Sequence, residues 1–111
     1  MVRDLGFEQQ LLEDLGAIDG LRSRPMFGGL CCFLNGHMLC AARQDRAMYR
    51  VRRENDPLVR DIDGISPMTH GGDAKPGFVW LSGQALSDDA LRQMLTDMTV
   101  EFVRNQPRKE A

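Results

Sequence analysis

The 111-residue sequence has no long apolar run, no surplus of positive charge and few histidines. No stretch approaches the ~20 consecutive apolar residues that a membrane span needs. The N-terminal segment has early acidic residues and lacks the apolar core of a signal peptide. A net charge of −2 gives no general attraction to nucleic acid or to an anionic membrane. These absences favour a cytoplasmic protein. The length of 111 residues is that of a single domain, which we assign to residues 1–111.

Cysteine is scarce and irregularly spaced, with Cys31 and Cys32 adjacent and Cys40 further along. An odd count without Cys-x-x-Cys spacing indicates reduced thiols rather than a disulfide framework. The other candidate metal ligands are His37, His70 and Asp73. Because adjacent strand residues point to opposite faces, we expect no usable ligand triad, no metal and no cofactor.

Motifs of catalysis are also missing. Neither of the two histidines sits in a recognisable catalytic motif, and no serine or cysteine lies in a nucleophile elbow. A Walker motif has Lys-Ser or Lys-Thr after its second glycine and leads into a helix. After Gly72–Gly77 the chain instead continues with Phe78 and a strand pattern. The sequence therefore predicts no catalytic residues and no enzyme.

What the sequence does contain is a succession of helix and strand patterns. Apolar residues at helical spacing predict a first helix from Phe7 to Ile18, ended by Asp19-Gly20. Asp56 is predicted to cap a short helix over residues 57–62, with proline at its first position. A second amphipathic pattern predicts a long closing helix with Ser87 as its N-cap.

The segment Arg24–Cys40 predicts a central β-hairpin. Asn35-Gly36 between two apolar runs is typical of a type I′ turn. With a two-residue loop, Cys31 would lie opposite Cys40, with Cα atoms about 4.5 Å apart and Cys32 on the other face. A redox-sensitive pair and two packed thiols both fit that register. Upstream, Gly28-Gly29 predicts a bulge or a close backbone approach.

Three further segments have strand patterns, at residues 47–52, 65–68 and 78–81. Pro67 restricts the second of them to a sheet edge or an irregular piece. We interpret Arg22–Pro25 as a linker and His70–Gly77 as a loop. Since the connections are short, antiparallel pairing is favoured. The predicted fold is therefore α+β, a two-layer sandwich with an antiparallel sheet of four to five strands and helices on one face.

Basic residues in the middle of the chain are predicted to collect at one end of this sheet. They are candidate contacts for an anion or a partner: Arg43, Arg46, Arg50, Arg52, Arg53 and Lys75. The alternative is a solvated face balanced by Glu54, Asp56 and Asp61.

The segment Pro25-Met-Phe-Gly-Gly29, followed by Asn35-Gly36 and Met38, resembles the N-terminal domain of the TfoX/Sxy family. The resemblance covers nearly the whole chain and implies a two-layer domain of order α-β-β-β-α-β-β-α. Its later parts are Met48-Tyr-Arg-Val51, Pro67-Met68 and Lys75-Pro-Gly-Phe-Val79.

TfoX-type regulators promote competence for DNA uptake in bacteria, and they carry a second, C-terminal helical domain that this chain lacks. The resemblance implies no active site, and His70 stands where family members often have an aromatic residue. We therefore expect a non-enzymatic bacterial regulatory module that acts through a protein partner. A homodimer formed through exposed apolar positions of the sheet, direct nucleic-acid binding, and small-ligand binding by the Gly71–Gly77 loop are the alternatives.

Overall fold

The computed structural model describes residues 3–26, 28–70 and 72–107. In these residues the chain forms helices and strands in the order α-β-β-β-β-α-β-β-α, with a 3₁₀ turn over Gly83–Ser87 before the last helix. The elements are α1 (Leu5–Leu15), β1 (Leu21–Met26), β2 (Gly29–Leu34), β3 (His37–Ala42), β4 (Arg46–Arg50), α2 (Asp56–Val59), β5 (Ile65–His70), β6 (Asp73–Ser82) and α3 (Asp89–Arg104).

The strands form one antiparallel sheet in the order β1-β2-β3-β4-β6-β5. The α+β class is confirmed, and so is the interior position of the hairpin β2–β3. The described sheet has six strands rather than four to five. The additional strand is β1, which was interpreted as a linker. Pro25 favours extended backbone before it, and its missing N–H is tolerated at a sheet edge.

Helices α1 and α3 pack on one face of the sheet, as predicted. The core between the layers is apolar and closed to solvent, and its largest fully buried side chains include Leu11, Leu39, Tyr49, Leu81 and Leu95. Strand side chains alternate between the two faces, so these positions supply a continuous apolar surface for the helices. The second face of the sheet is therefore left to the strands themselves.

A buried arginine connects the two long helices. Arg92 of α3 is 3% exposed. Its Nε donates to a carboxylate oxygen of Asp14 at 2.9 Å, and one terminal nitrogen donates to the carbonyl of Leu86 at 2.8 Å. A terminal nitrogen of Arg92 also pairs with the carboxylate of Asp89 in the first turn of α3, so the buried charge has a carboxylate partner from each helix.

Two helix boundaries differ from the predicted ones. α1 ends at Leu15, because Gly16 takes a φ of 70° and donates its N–H to the carbonyl of Leu12 at 3.0 Å. α3 is capped by Asp88 rather than Ser87, with the Asp88 carboxylate accepting the Leu91 N–H at 3.0 Å. Local capping chemistry therefore moved both ends by one to three residues.

The glycine and asparagine turns of the hairpin region follow the prediction. Asn35 and Gly36 both have positive φ, at 52° and 86°, as a type I′ turn requires. At Gly29 a Cβ atom would lie 2.0 Å from the carbonyl oxygen of Ala42. The predicted close backbone approach is thus confirmed, since only glycine fits between β2 and β3 at this point.

The segment predicted as a loop at residues 70–77 is mostly strand. β5 runs to His70 and β6 begins at Asp73, while Gly71 lies outside the described residues. The two strands pair as an antiparallel hairpin with His70 opposite Asp73. Pro67 lies in the edge strand β5, as predicted. The loop interpretation was wrong because Pro76 lies within β6, at the irregular stretch between the paired residues Ala74 and Val79, where a missing backbone N–H is tolerated.

Replacing Gly29 with alanine tests the close approach of β2 and β3. The Cβ of Gly29→Ala would overlap the Ala42 carbonyl, so we expect destabilisation by about 1–3 kcal/mol or more. Gly6→Ala is the matched control, because the nearest atom to a Cβ in the first turn of α1 is 3.6 Å away. This control should be neutral or stabilising by up to about 1 kcal/mol. Urea unfolding measures both, and equal effects would contradict the packing described.

Candidate functional site

The sheet face opposite the helices carries a second apolar cluster, which we call the open face. Its buried centre consists of three residues that are 4–5% exposed, and half-buried side chains surround them. All of its members are strand residues, and no described helix residue belongs to the cluster. The members are Met26, Cys31, Phe33, Met38, Ala41, Met48, Met68, Phe78 and Trp80.

Strand alternation explains how these side chains reach one surface. In β4, Tyr49 and Val51 belong to the helix-side core, whereas Met48 belongs to the open face. Pairing with β6 then places Trp80 opposite Met48, and Phe78 opposite Arg50. Directly opposed residues share a face, so β4 and β6 together contribute an apolar and aromatic centre with arginine at its side.

Arginine side chains lie over all three aromatic rings of the open face. A guanidinium within about 6 Å of a ring centroid is attracted by the ring quadrupole. The distances from the guanidinium carbon to the ring centroid are 5.7 Å for Arg24 over Phe33, 3.6 Å for Arg46 over Trp80 and 5.7 Å for Arg50 over Phe78. The Arg24 and Arg46 guanidinium groups thus lie over rings of the open face, whereas that of Arg50 also lies 5.0 Å from the ring of Phe102 in α3 and so sits between the two faces.

The sheet is strongly basic although the chain as a whole is slightly acidic. The six strands contain one carboxylate residue, Asp73, out of sixteen in the sequence. They contain five of the fourteen basic residues: Arg22, Arg24, Arg46, Arg50 and Lys75. The other nine basic residues lie outside the strands, so the sheet is net positive because the carboxylates lie in the helices, turns and termini.

None of these five basic side chains forms an ion pair with a carboxylate in the described part of the chain. The ion pairs found there hold Arg3, Arg52, Arg60 and Arg92. The register places Arg22 and Arg24 opposite Phe33 and Cys31, both members of the open face. The positive charge on the open face is thus left without an internal counter-charge, which favours anionic groups in its surroundings.

The candidate contact residues from the sequence divide into two groups. Arg46 and Lys75 lie at the open face, and Arg50 lies at the end of β4 between Phe78 of that face and Phe102 of α3. Arg43 lies beyond the end of β3, beside a turn, and lines a depression with Gly28 and Arg46. The remaining two lie in the turn after β4, where Arg52 pairs with Glu54 and Arg53 is exposed.

Sequence reasoning missed two arginines of the open face. Arg22 and Arg24 were assigned to a linker, although they belong to β1. Their spacing of two residues in the segment Leu-Arg-Ser-Arg is the signal that would have found them, because it is the period of a strand.

A shallow depression of about 400 Å³ lies within the open face. Three methionines line it, together with the aliphatic and aromatic groups of neighbouring strands. Methionine side chains are flexible and polarizable, so they adapt to apolar groups of different shapes. The lining residues are Met38, Met48, Met68, Thr69, Lys75 and Phe78.

A buried carboxylate fixes the position at which β6 enters the open face. Asp56 is 2% exposed and does not cap α2 as predicted. It accepts the backbone N–H of Gly77 at 2.9 Å and a hydrogen bond from Arg60 at 2.7 Å. Gly77 has a φ of 93°, and a Cβ there would lie 3.0 Å from the backbone nitrogen of Arg53. This close packing positions the following residue, Phe78, on the open face.

The predicted pairing of Cys31 with Cys40 is wrong. The hairpin follows the expected register from its turn to Phe33 opposite Met38, and then shifts by one residue, so that Cys40 lies opposite Cys32. A β-bulge at Leu39 causes the shift, because β3 has one residue more than β2 between these pairs. Cys32 and Cys40 thus share the helix-side core, and Cys31 lies on the open face opposite Ala41.

The surroundings of Cys31 and Cys40 make these two thiols poorly reactive. The hydrogen bond to Cys32 and complete burial hold the pKa of Cys40 well above its usual value. Burial also raises the pKa of Cys31. Because the thiolate is the nucleophilic form, Cys31 and Cys40 react slowly at neutral pH. The hydrogen bond with Cys40 lowers the pKa of Cys32, but that thiol is fully buried.

The described residues contain no group of three or more His, Cys, Asp or Glu side chains placed to hold a metal ion. His37 is occupied by a hydrogen bond between its Nε2 and the Pro107 carbonyl, at 2.7 Å. Over the same residues, no helix combines the length and the apolar character that crossing a membrane demands.

Removal of the Asp56 carboxylate tests the anchor of β6. In Asp56→Ala the buried Gly77 N–H loses its acceptor and Arg60 loses its ion pair, so we expect a loss of about 1–3 kcal/mol in unfolding free energy. Asp61→Ala removes an exposed carboxylate nearby and should change stability by less than about 0.5 kcal/mol. Urea unfolding compares the two variants. Equal stabilities would show that the Asp56 contacts contribute nothing.

Alkylation of the native protein tests the cysteine register. Iodoacetamide should modify Cys31 before Cys32 and Cys40, because Cys31 is 4% exposed on the open face and the others are at most 1% exposed in the core. Raising the pH from about 7 to about 9 should leave Cys40 unmodified, because its raised pKa keeps it protonated. Mass spectrometry locates the modified residues, and unfolded protein, in which all three react, is the control. Equal alkylation rates for Cys31 and Cys40 would instead support the register predicted from the sequence, in which Cys31 lies opposite Cys40.

Comparison with known proteins gives one match at the level of families. The family model described as the TfoX N-terminal domain matches residues 10–103, which is most of the chain. No curated protein and no solved structure matches the sequence. The matched region includes the whole sheet and most of both long helices. The chain therefore belongs to the TfoX N-terminal domain family.

Proposed function

We propose that this chain is a non-enzymatic module that binds another protein through the open face. The observation that supports the proposal is a sheet face with an apolar centre and basic side chains that have no internal counter-charge. A sheet normally buries both faces against a second layer or leaves one of them polar. An apolar, basic face fits neither case, and a partner would complete it.

The composition of the open face is that of a protein interface. Methionine, arginine, phenylalanine and tryptophan are enriched in the cores of protein–protein interfaces, whereas lysine, glutamate and aspartate are depleted. The open face has four methionines and three aromatic residues, with arginines above the rings. Scattered surface apolar residues need no explanation, but a contiguous cluster of this kind points to binding.

A non-enzymatic role is supported by the chemistry of the same surface. Its side chains are thioethers, aromatic rings and guanidinium groups, which do not act as general bases or nucleophiles at neutral pH. Cys31 is buried and its pKa is raised, so it is a poor nucleophile. These groups can bind a partner without a general base or a nucleophile.

Nucleic acid and a small ligand are weaker candidates than a protein partner. Five basic side chains on one face would contact phosphates, but the apolar centre between them would stay unfilled by a phosphate backbone. The described part of the loop, residues 72–77, is a turn and a strand. Residues 73–77 thus belong to β6 rather than to an open loop.

The partner-binding role extends to regulation in the bacterial cytoplasm. The family is that of the N-terminal domain of TfoX, whose regulators promote competence. A module of this kind would act by recruiting a partner rather than by catalysis. The three free, buried cysteines are compatible with a reducing compartment.

Photo-crosslinking tests the proposed role. A benzophenone amino acid at position 33, on the open face, should form an adduct with a discrete protein in an extract of the native host. The same group at position 97, on the exposed side of α3, is the control and should not form that adduct. Met38→Asp, in the variant that carries the position-33 probe, should abolish the adduct while circular dichroism stays unchanged.

Each outcome of the crosslinking experiment either supports or rejects the proposed role. A protein adduct that depends on position 33 and on Met38 supports the proposal, and mass spectrometry identifies the crosslinked segment. Adducts of equal yield at positions 33 and 97, adducts with nucleic acid alone, or no adduct at all would reject it.

A further inference from the structure

We infer that the open face binds an acidic amphipathic helix of a partner protein, an inference that rests on the partner-binding role proposed above. The apolar side of that helix would cover the apolar residues of β2 and β3, and its flanking carboxylates would meet the arginines of β1 and β4. The charge, the covered aromatic rings and the shape of the face each restrict the occupant.

The charge of the open face requires an anionic occupant. Arg22 and Arg24 lie along β1 and Arg46 and Arg50 along β4, on either side of the apolar residues of β2 and β3. None of them pairs with a carboxylate of the described chain. Guanidinium groups bind carboxylates with two parallel hydrogen bonds, so two rows of arginine suit two rows of acidic residues.

A second copy of this chain is disfavoured as the occupant. A two-fold dimer through the open face would bring the same surface together with itself. The basic residues of both copies would then approach each other without acidic residues between them, since Asp73 is the one carboxylate residue in the strands. Like charges at a shared interface cost binding energy, so the charge pattern acts against self-association.

A nucleic-acid strand is disfavoured by the aromatic rings. Single-stranded nucleic acids bind sheet surfaces by stacking bases on exposed aromatic faces. Here a guanidinium group lies over each ring, with the Arg46 group 3.6 Å from the centroid of Trp80. Base stacking would have to displace these arginines and forfeit their cation–π attraction.

The shape of the face favours a helix over an added strand. Both edge strands contain a proline, Pro25 in β1 and Pro67 in β5, which interrupts the backbone donors that a new strand would use. A helix instead covers the face itself, as α1 and α3 cover the other side. A leucine or phenylalanine of that helix would lie on the apolar residues of β2 and β3, and the flexible side chains of Met26 and Met38 would adjust around it.

Synthetic peptides test this occupant directly. The first probe is a helical peptide of ~18 residues, about five turns, with a leucine stripe flanked by glutamates. The second is the same peptide with every glutamate replaced by lysine, and the third is an oligothymidylate of ~16 nucleotides. Trp80 is the single tryptophan of the chain and lies on the open face, so its fluorescence reports occupancy when the probes contain none.

The acidic peptide should change the fluorescence of Trp80 in a saturable way, and added salt should weaken its binding. Arg24→Glu should weaken binding about fivefold to tenfold, because an attraction is replaced by a repulsion. Arg104→Glu is the matched control at an exposed position at the end of α3, and it should bind like the unchanged protein. Sedimentation of the free protein at rising concentration should show no self-association.

Some results would reject the acidic helix and leave the protein-binding role intact. Equal binding of the acidic and lysine peptides, no binding of either, tighter binding of the oligothymidylate, or dimerisation that Arg24→Glu strengthens would overturn the acidic helix. If the position-33 crosslink reaches a partner segment without acidic surplus, the protein-binding role stands and the inference fails. A crosslink to an acidic amphipathic segment supports both.

Discussion

A β-sheet has two faces, and this chain covers only one of them with helices. The helix-side core takes up the aliphatic side chains of every strand, together with Tyr49 and the buried thiols. The other face therefore has to remain compatible with water without a covering layer. Methionine and arginine meet that demand, because both have long unbranched stems that fold over apolar neighbours. The composition of the open face follows from this one-sided architecture.

The rigidity of the open face comes from contacts behind and beside it. Arg92 holds α1 and α3 together through its buried bonds to Asp14 and Leu86, so the helix layer is a fixed support. Asp56 holds the start of β6 through the Gly77 N–H. A surface held in this way keeps its side chains in place before a partner arrives, which lowers the entropic cost of association.

Much of the fold could be predicted from the sequence because local chemistry decided it. The hairpin turn could be predicted because few residues adopt positive φ. The faces of the residues next to the turn could be predicted because strand side chains alternate between faces. The bulge was not readable, because Leu39 and Cys40 are both apolar and the pattern around them has no polar marker of register. Of the arginines on the candidate surface, Arg46 and Arg50 could be predicted from the sequence. The arginines of β1 could not, because the proline that follows them was interpreted as the sign of a linker.

The single extra residue in β3 reverses the alternation of side chains between the helix-side core and the open face. Alternate residues before the bulge lie on the open face, and after the bulge the other set of alternate residues does. Because the bulge absorbs the extra residue, deletion of Leu39 would leave Cys40 opposite Cys32 and Ala41 opposite Cys31, and neither side chain would change face. If β3 kept all its residues and lost the bulge, Cys40 would instead lie opposite Cys31 and bring a second thiol to the open face. The bulge thus keeps Cys40 in the core, and this point of the hairpin tolerates the loss of a residue without a change in the chemistry of either face.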